Sequence, residues 1–157
     1  MRYYIVCLFI STLLACNQKS NEKVVEPPAY PSVSDSLYVY ANRAINNGDS
    51  IAYRRASYLS FIKDKSEDFF YVAFIVANKY GYRDAYFDVY RILRSGPNYG
   101  NVNQLDSASR RLAIFYLLKS LEKGYSDAIL EVKTVFKDSN SIPLSTQYLE
   151  RSSSGYR

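Results

Sequence analysis

From about residue 35 onward, apolar side chains recur every three or four positions, the spacing of one helix face and not the strict alternation of a strand. Capping residues and glycines divide this pattern into elements. Asp35 or Ser34 caps a first helix that ends at Asn47-Gly48, and Asp49 or Ser50 opens a second that runs to about Lys63. Ser66 opens a third, with Glu67 and Asp68 in the first turn where the helix dipole favours acid, and Gly81 stops it. A fourth covers about Tyr82 to Arg94 and ends at Ser95-Gly96-Pro97. Asp106 caps a fifth that carries Ala113, Leu117 and Leu121 on one stripe and ends at Gly124. Ser126 opens a sixth whose Ala128, Val132, Val135 and Phe136 face inward, and a short seventh follows near Ser145–Arg151. The Asn47-Gly48 pair lies between helical patterns, so it predicts a helix terminus and not a hairpin.

The pattern also repeats. Tyr38-Val39, Ala44, Gly48 and Ala52-Tyr53 reappear as Tyr71-Val72, Ala77, Gly81 and Ala85-Tyr86, each shifted by 33 (71 − 38). A third copy, shifted by a further 43 (124 − 81), sets Ser120, Gly124-Tyr125 and Asp127-Ala128 against Ala77, Gly81-Tyr82 and Asp84-Ala85. The extra residues fall in Gly96–Leu105, whose Gly and Asn content predicts a loop. Periods of this length signal stacked helix pairs. The expected fold class is all-α, a short α-solenoid of about three helix-turn-helix repeats over residues 35–152, with 153–157 as a tail. Gly48, Gly81 and Gly124 supply the left-handed residue at each repeat's turn.

The N-terminus follows a different rule. After Arg2, the segment Tyr3–Leu14 is uncharged and mostly apolar. As a helix it spans roughly 18 Å, short of the ~30 Å hydrocarbon core, so residues 1–15 read as a signal peptide and not as a membrane span. The sequence Leu13-Leu14-Ala15-Cys16 resembles the bacterial lipobox. That resemblance implies cleavage between Ala15 and Cys16 and thioether lipidation of Cys16. Residues 16–34 then form a lipidated, polar tether with Pro27, Pro28 and Pro31, reaching about 25 Å from the bilayer as a flexible coil.

Composition narrows the chemistry. The chain has no His, which excludes Ser-His-Asp and Cys-His catalysis, His-ligated zinc and His proton shuttles. Cys7 leaves with the signal and Cys16 becomes a thioether, so the mature chain has neither a free thiol nor a disulfide. Without residues 1–15, 19 basic residues face 15 acidic ones, a formal +4 that suits acidic partners or anionic envelope surfaces. Tyr53-Arg54-Arg55 and Tyr90-Arg91 combine stacking and charge as nucleic-acid sites do, but export argues against that partner. No cofactor and no metal are expected. The remaining catalytic route is a carboxylate pair drawn from Glu67, Asp68, Asp84, Glu122, Asp127 and Glu131, most of which start helices and complement their dipoles.

The 17 tyrosines, against no Trp, offer rigid apolar area with a polar tip. Those repeated in register (Tyr38/Tyr71, Tyr53/Tyr86, Tyr82/Tyr125) are expected to pack between helices. Tyr40 and Tyr116 lie beside a polar line on the first helix of their repeats. With Arg43, Asn46, Lys79 and Lys119, and their register mates Val76 and Glu122, they make the expected partner-binding strip.

The stretch LDSASRRLAIFYLLKSLEKGYSDAILEV carries Asp106, Ala113, Tyr116, Lys119-Ser120, Gly124 and Ala128 in an order that resembles the Sel1-like repeat, a tetratricopeptide relative. The likeness extends more loosely over residues 36–137. It departs at the family's Leu-Gly pair, which is Val89-Tyr90 and Val132-Lys133 here, so the angle between repeats is not set by a close glycine contact. The resemblance implies a protein-binding module, tethered by its lipid in the envelope of a Gram-negative bacterium, facing the periplasm from the outer membrane. Its most specific form is an immunity protein that neutralises a toxin. The alternatives are a scaffold subunit of an envelope assembly or secretion complex and a carboxylate-based wall hydrolase.

Cys16→Ala is expected to abolish palmitate labelling and to release the protein from the membrane fraction. Labelling that survives the substitution would refute the lipobox.

Overall fold

The computed structural model describes residues 33–95, 100–137 and 142–153. The expected signal segment 1–15, Cys16, the expected tether up to residue 32 and residues 154–157 of the expected tail lie outside them. Among the described residues there are seven α-helices and no strand: α1 Val33–Asn47, α2 Ser50–Ile62, α3 Ser66–Tyr80, α4 Arg83–Leu93, α5 Ser107–Glu122, α6 Ser126–Val135 and α7 Ser145–Ser153. α1 pairs with α2, α3 with α4 and α5 with α6; α2 packs on α3, α4 on α5, and α7 on α5. The fold is all-α, a short stack of three helix-turn-helix units with a terminal helix. α1 begins at Val33, so Val33 and Ser34 belong to the domain and not to the tether, and α7 takes in Ser153.

Two of the expected caps form. The Asp49 carboxylate accepts the Ile51 and Ala52 N–H groups at 3.0 and 2.9 Å, and Asp106 accepts those of Ala108 and Ser109 at 2.9 and 3.0 Å. Ser66 and Ser126 instead lie inside the first turn, after Lys65 and Tyr125, which make no side-chain cap bond. Glu67, Asp68 and Asp127 serve those helix starts through the dipole instead.

Each unit turns the same way. A small residue stands four positions before a glycine and another four after it: Ala44-Gly48-Ala52, Ala77-Gly81-Ala85 and Ser120-Gly124-Ala128. All six small side chains are buried, and all three glycines have positive φ. Between units, α2 reaches α3 through Asp64 at φ 54°, a conformation that Asp tolerates by bonding locally.

The first and second units are tied through the C-terminal carbonyls of α1, which have no partner inside their own helix. The Tyr80 hydroxyl donates to the Ile45 carbonyl at 2.8 Å and the Asn46 carbonyl at 3.1 Å, and Lys79 Nζ donates to Ile45 at 3.2 Å. Tyr82 donates its hydroxyl to the Gly48 carbonyl. The second and third units are joined differently. Asn78 Nδ2 donates to the Tyr116 hydroxyl at 2.8 Å, and Ser120 Oγ donates to the Arg83 carbonyl at 2.9 Å. Arg94 grips Glu131 with two bonds of 2.8 and 2.9 Å. The predicted loop is more than a connector: a 3₁₀ turn at Val102–Gln104 buries Val102 and packs on α5. Its residues 96–99 lie outside the described ones.

Gly48 is the turn with least room. A Cβ there would sit 2.8 Å from Tyr80 Cε1, on a ring pinned by its bonds to Ile45 and Asn46, whereas nothing lies within 4 Å of a Cβ at Gly124. Gly124→Ala is expected to cost about 1–2 kcal/mol, from the backbone alone. Gly48→Ala should cost more than that, because Tyr80 must also move. Urea unfolding of the two variants checks the order, and equal losses would mean that the Tyr80 tie contributes nothing.

Candidate functional site

The structure separates the residues of the expected strip. Tyr116 is only 3% exposed: its ring packs against Phe74 and Tyr86, and its hydroxyl accepts from Asn78. Val76 is fully buried. Tyr38 and Tyr71, expected to pack, are 68% and 64% exposed. Helix geometry explains the exchange. Positions two apart point about 200° away from each other, so Tyr38 and Tyr40 cannot both face the core. The core takes the face of Leu37, Tyr40, Ala41 and Ala44.

The other strip residues have local duties. Tyr40 is half-buried, with the Arg55 guanidinium 5.4 Å from its ring and donating to its hydroxyl at 3.2 Å. Arg43 is exposed and pairs with Asp49 at 2.6 Å. Lys79 donates to α1 as described, Lys119 pairs with Glu122 at 3.5 Å, and Asn46 is exposed at the end of α1. No continuous aromatic and basic face results. Tyr116 and Val76 are therefore corrected from contact residues to core.

The candidate carboxylates are also largely committed. Glu131 is held by Arg94 and accepts the Tyr90 hydroxyl at 3.1 Å. Glu122 caps α7, accepting the Ser145 N–H at 2.7 Å and its hydroxyl at 3.0 Å. Burial alone would raise the Glu122 pKa, but these bonds and the Lys119 ammonium hold it below the usual glutamate value. Among the described residues, no three acidic, His or Cys side chains are arranged to hold a metal.

What the fold does leave open is a groove of about 440 Å³ between α2 and α4. Its α2 wall is Tyr53, Ser57, Tyr58, Phe61 and Ile62; its α4 wall is Asp84, Asp88 and Arg91; Tyr125 closes one end. A second concavity of about 310 Å³ shares Tyr53, Arg54 and Asp84 with it and continues to Arg83 and Lys123. The apolar lip extends beyond the groove. Ile51, Tyr58 and Ile62 are 60%, 67% and 62% exposed. With Arg55 they occupy positions 51, 55, 58 and 62, which form one stripe along α2.

The floor is polar. Asp88, 5% exposed, accepts the Tyr53 and Ser57 hydroxyls at 2.7 Å each, both on Oδ2. Its Oδ1 has Arg91 Nη1 at 3.6 Å, an ion pair longer than a hydrogen bond. The Arg91 guanidinium lies 3.9 Å from the centre of the Phe61 ring. Burial raises the Asp88 pKa above the ordinary aspartate value; the two hydroxyl bonds and Arg91 offset only part of that. Burial and the Asp88 and Asp84 charges raise Tyr53 well above its usual value. Tyr125 is pushed up to about 12 by burial, then by Asp127, Asp84 and Asp88.

No family model matches this chain, and no curated protein or solved structure matches it. The groove is therefore read from its own chemistry. Sequence reasoning did not single out Asp88, Ser57, Phe61 or Ile62. One signal was available: Asp88 lies mid-helix between Phe87 and Val89, where neither capping nor the dipole accounts for an acid.

Because the folded pKa of Asp88 is raised, the folded chain holds this proton to higher pH than the unfolded chain does. Its contribution to stability therefore falls as pH rises from the ordinary value of 3.8 through the raised one, and is constant above. Asp88→Asn keeps an acceptor for Tyr53 and Ser57 but cannot ionise. Its stability relative to wild type is expected to be more favourable at pH 7 than at pH 4, read from urea midpoints at both. A difference independent of pH would refute a raised pKa. Asp88→Leu, which strands the buried Tyr53 hydroxyl, should cost about 1–3 kcal/mol at either pH.

Proposed function

We propose that this chain is a membrane-tethered, Sel1-like binding module that engages another protein through the groove between α2 and α4. One observation carries the proposal: three large apolar side chains, Ile51, Tyr58 and Ile62, stand more than half exposed on one stripe of α2, and two of them form the lip of a concavity. A large apolar side chain beside a pocket is the usual anatomy of a binding hot spot. The strip of the α1, α3 and α5 helices is a poorer candidate, because its aromatic members are buried or stacked at home. A Cys16 lipid and the tether would keep this groove near a membrane surface, where the partner is an envelope protein or a protein delivered there. Neutralising a toxin is the most specific form of this function, and support of an envelope assembly is its alternative. The product of the neighbouring gene separates the two.

The test is to crosslink the partner in intact cells and measure its affinity for variants by titration calorimetry. Tyr58→Ala and Ile62→Ala are each expected to lose about 2 kcal/mol or more of binding energy, while Tyr71→Ala, equally exposed on α3, stays within about 0.5 kcal/mol. Binding that depends on Tyr71 and ignores Tyr58 and Ile62 would move the interface off this groove.

A further inference from the structure

The groove has a layered chemistry. Its acids are deep and its bases are shallow. Asp88 is nearly sequestered and Asp84 is half-buried beside it, whereas the Arg91 side chain is 41% exposed and Arg54 lies open at the rim. Phe61 lines the groove beside Asp88, and Tyr53, itself only 1% exposed, presents its hydroxyl to that carboxylate. A buried carboxylate beside aromatic rings is an arrangement that takes a cation, because ring quadrupoles and the carboxylate attract it together and water does not compete.

The protein already shows how such a cation would sit. The Arg91 guanidinium lies 3.9 Å from the Phe61 ring centre and 3.6 Å from Asp88 Oδ1. It holds the carboxylate only through that 3.6 Å ion pair: both short hydrogen bonds to Asp88 fall on Oδ2, and Oδ1 has no donor within hydrogen-bond distance. The contact is an i,i+3 pair within α4, and the Arg91 side chain is 41% exposed, so an incoming cation can take its place without unfolding the helix.

We propose that the groove anchors one basic side chain, Arg or Lys, of the partner protein, with its charged head on Asp88 Oδ1 against the Phe61 ring and its flanking residues on the lip formed by Tyr58 and Ile62. This deepens the binding function proposed above and rests on it. The partner's basic residue displaces Arg91, which swings out to the rim with Arg54. Acidic residues beside the anchor then meet those rim guanidiniums. The raised proton affinity of Asp88 agrees with this arrangement, since a carboxylate short of compensation gains from an incoming cation. So does Tyr125 in the groove wall, whose phenol is raised first by burial and then by the Asp127, Asp84 and Asp88 charges.

The full chain in detergent micelles is panned against short random peptides, and the enriched peptides are measured by fluorescence anisotropy on the wild type and on Asp88→Asn, Arg91→Gln, Tyr58→Ala and Ile62→Ala. On this proposal they share an Arg or Lys whose replacement by norleucine weakens binding by about tenfold or more, and Asp88→Asn weakens them similarly. Arg91→Gln, which vacates the ring and Oδ1, should tighten binding several-fold; loss of a merely structural residue would not do that. Peptides that depend on Tyr58 and Ile62 but tolerate norleucine and Asp88→Asn would overturn the cationic anchor and leave the groove standing. If no peptide depends on Tyr58 or Ile62, the groove itself and the anchor both fall.

Discussion

The close approach of two helices at small side chains is the constraint on which this fold depends. In each unit the first helix ends and the second begins around a glycine, and the residues four before and four after it are alanine or serine, none more than 2% exposed. Side chains this small let packed helices come close, and a larger one at a fully buried position would have to displace its neighbours. The large side chains are consequently displaced to the edges of the crossing. There they meet the next unit, and Phe69, Tyr53, Phe87 and Tyr90 fill the space between units.

This explains why tyrosine is so frequent. The ring supplies area between units and the hydroxyl reaches across to a polar atom of the neighbour. Tyr80 and Tyr82 cap the carbonyls that end α1, Tyr53 reaches from α2 to Asp88 on α4, and Tyr116 takes an amide from α3. Each bond contributes a net of only about 1 kcal/mol, but a buried hydroxyl left without one would cost about 1–3 kcal/mol, so these pairs fix which unit fits on which. Tyr90 shows the same principle: its hydroxyl donates to Glu131 of the third unit and accepts from Arg94 at the end of its own helix.

The site was less legible than the fold. The strip on the first helices came from repeat register alone, which says which positions are equivalent but not which of two opposed faces the neighbouring unit covers. Tyr116 and Tyr71 lie two register positions apart (71 + 43 = 114), on opposite faces, and one is core while the other is solvated. The groove on the α2–α4 side could not be read that way, because its walls lie some thirty residues apart in sequence, as with Ser57 and Asp88 (31 apart), and belong to different repeats. Asp88 itself was visible as an acid without a local reason, but its partners were not.

Local physics therefore determined most of the secondary structure. Apolar spacing set the helices, glycines at the left-handed turns ended the first helix of each unit, Asp49 and Asp106 capped, and the offset of 33 between copies announced the stack. These depend on atoms within a turn or two of each other, which a sequence lists side by side. Tertiary structure alone decided which faces the stack covers, which tyrosines become core and where an uncovered concavity with a buried acid remains. Burial is a property of what a neighbouring unit brings, and that neighbour is distant along the chain while in contact in space.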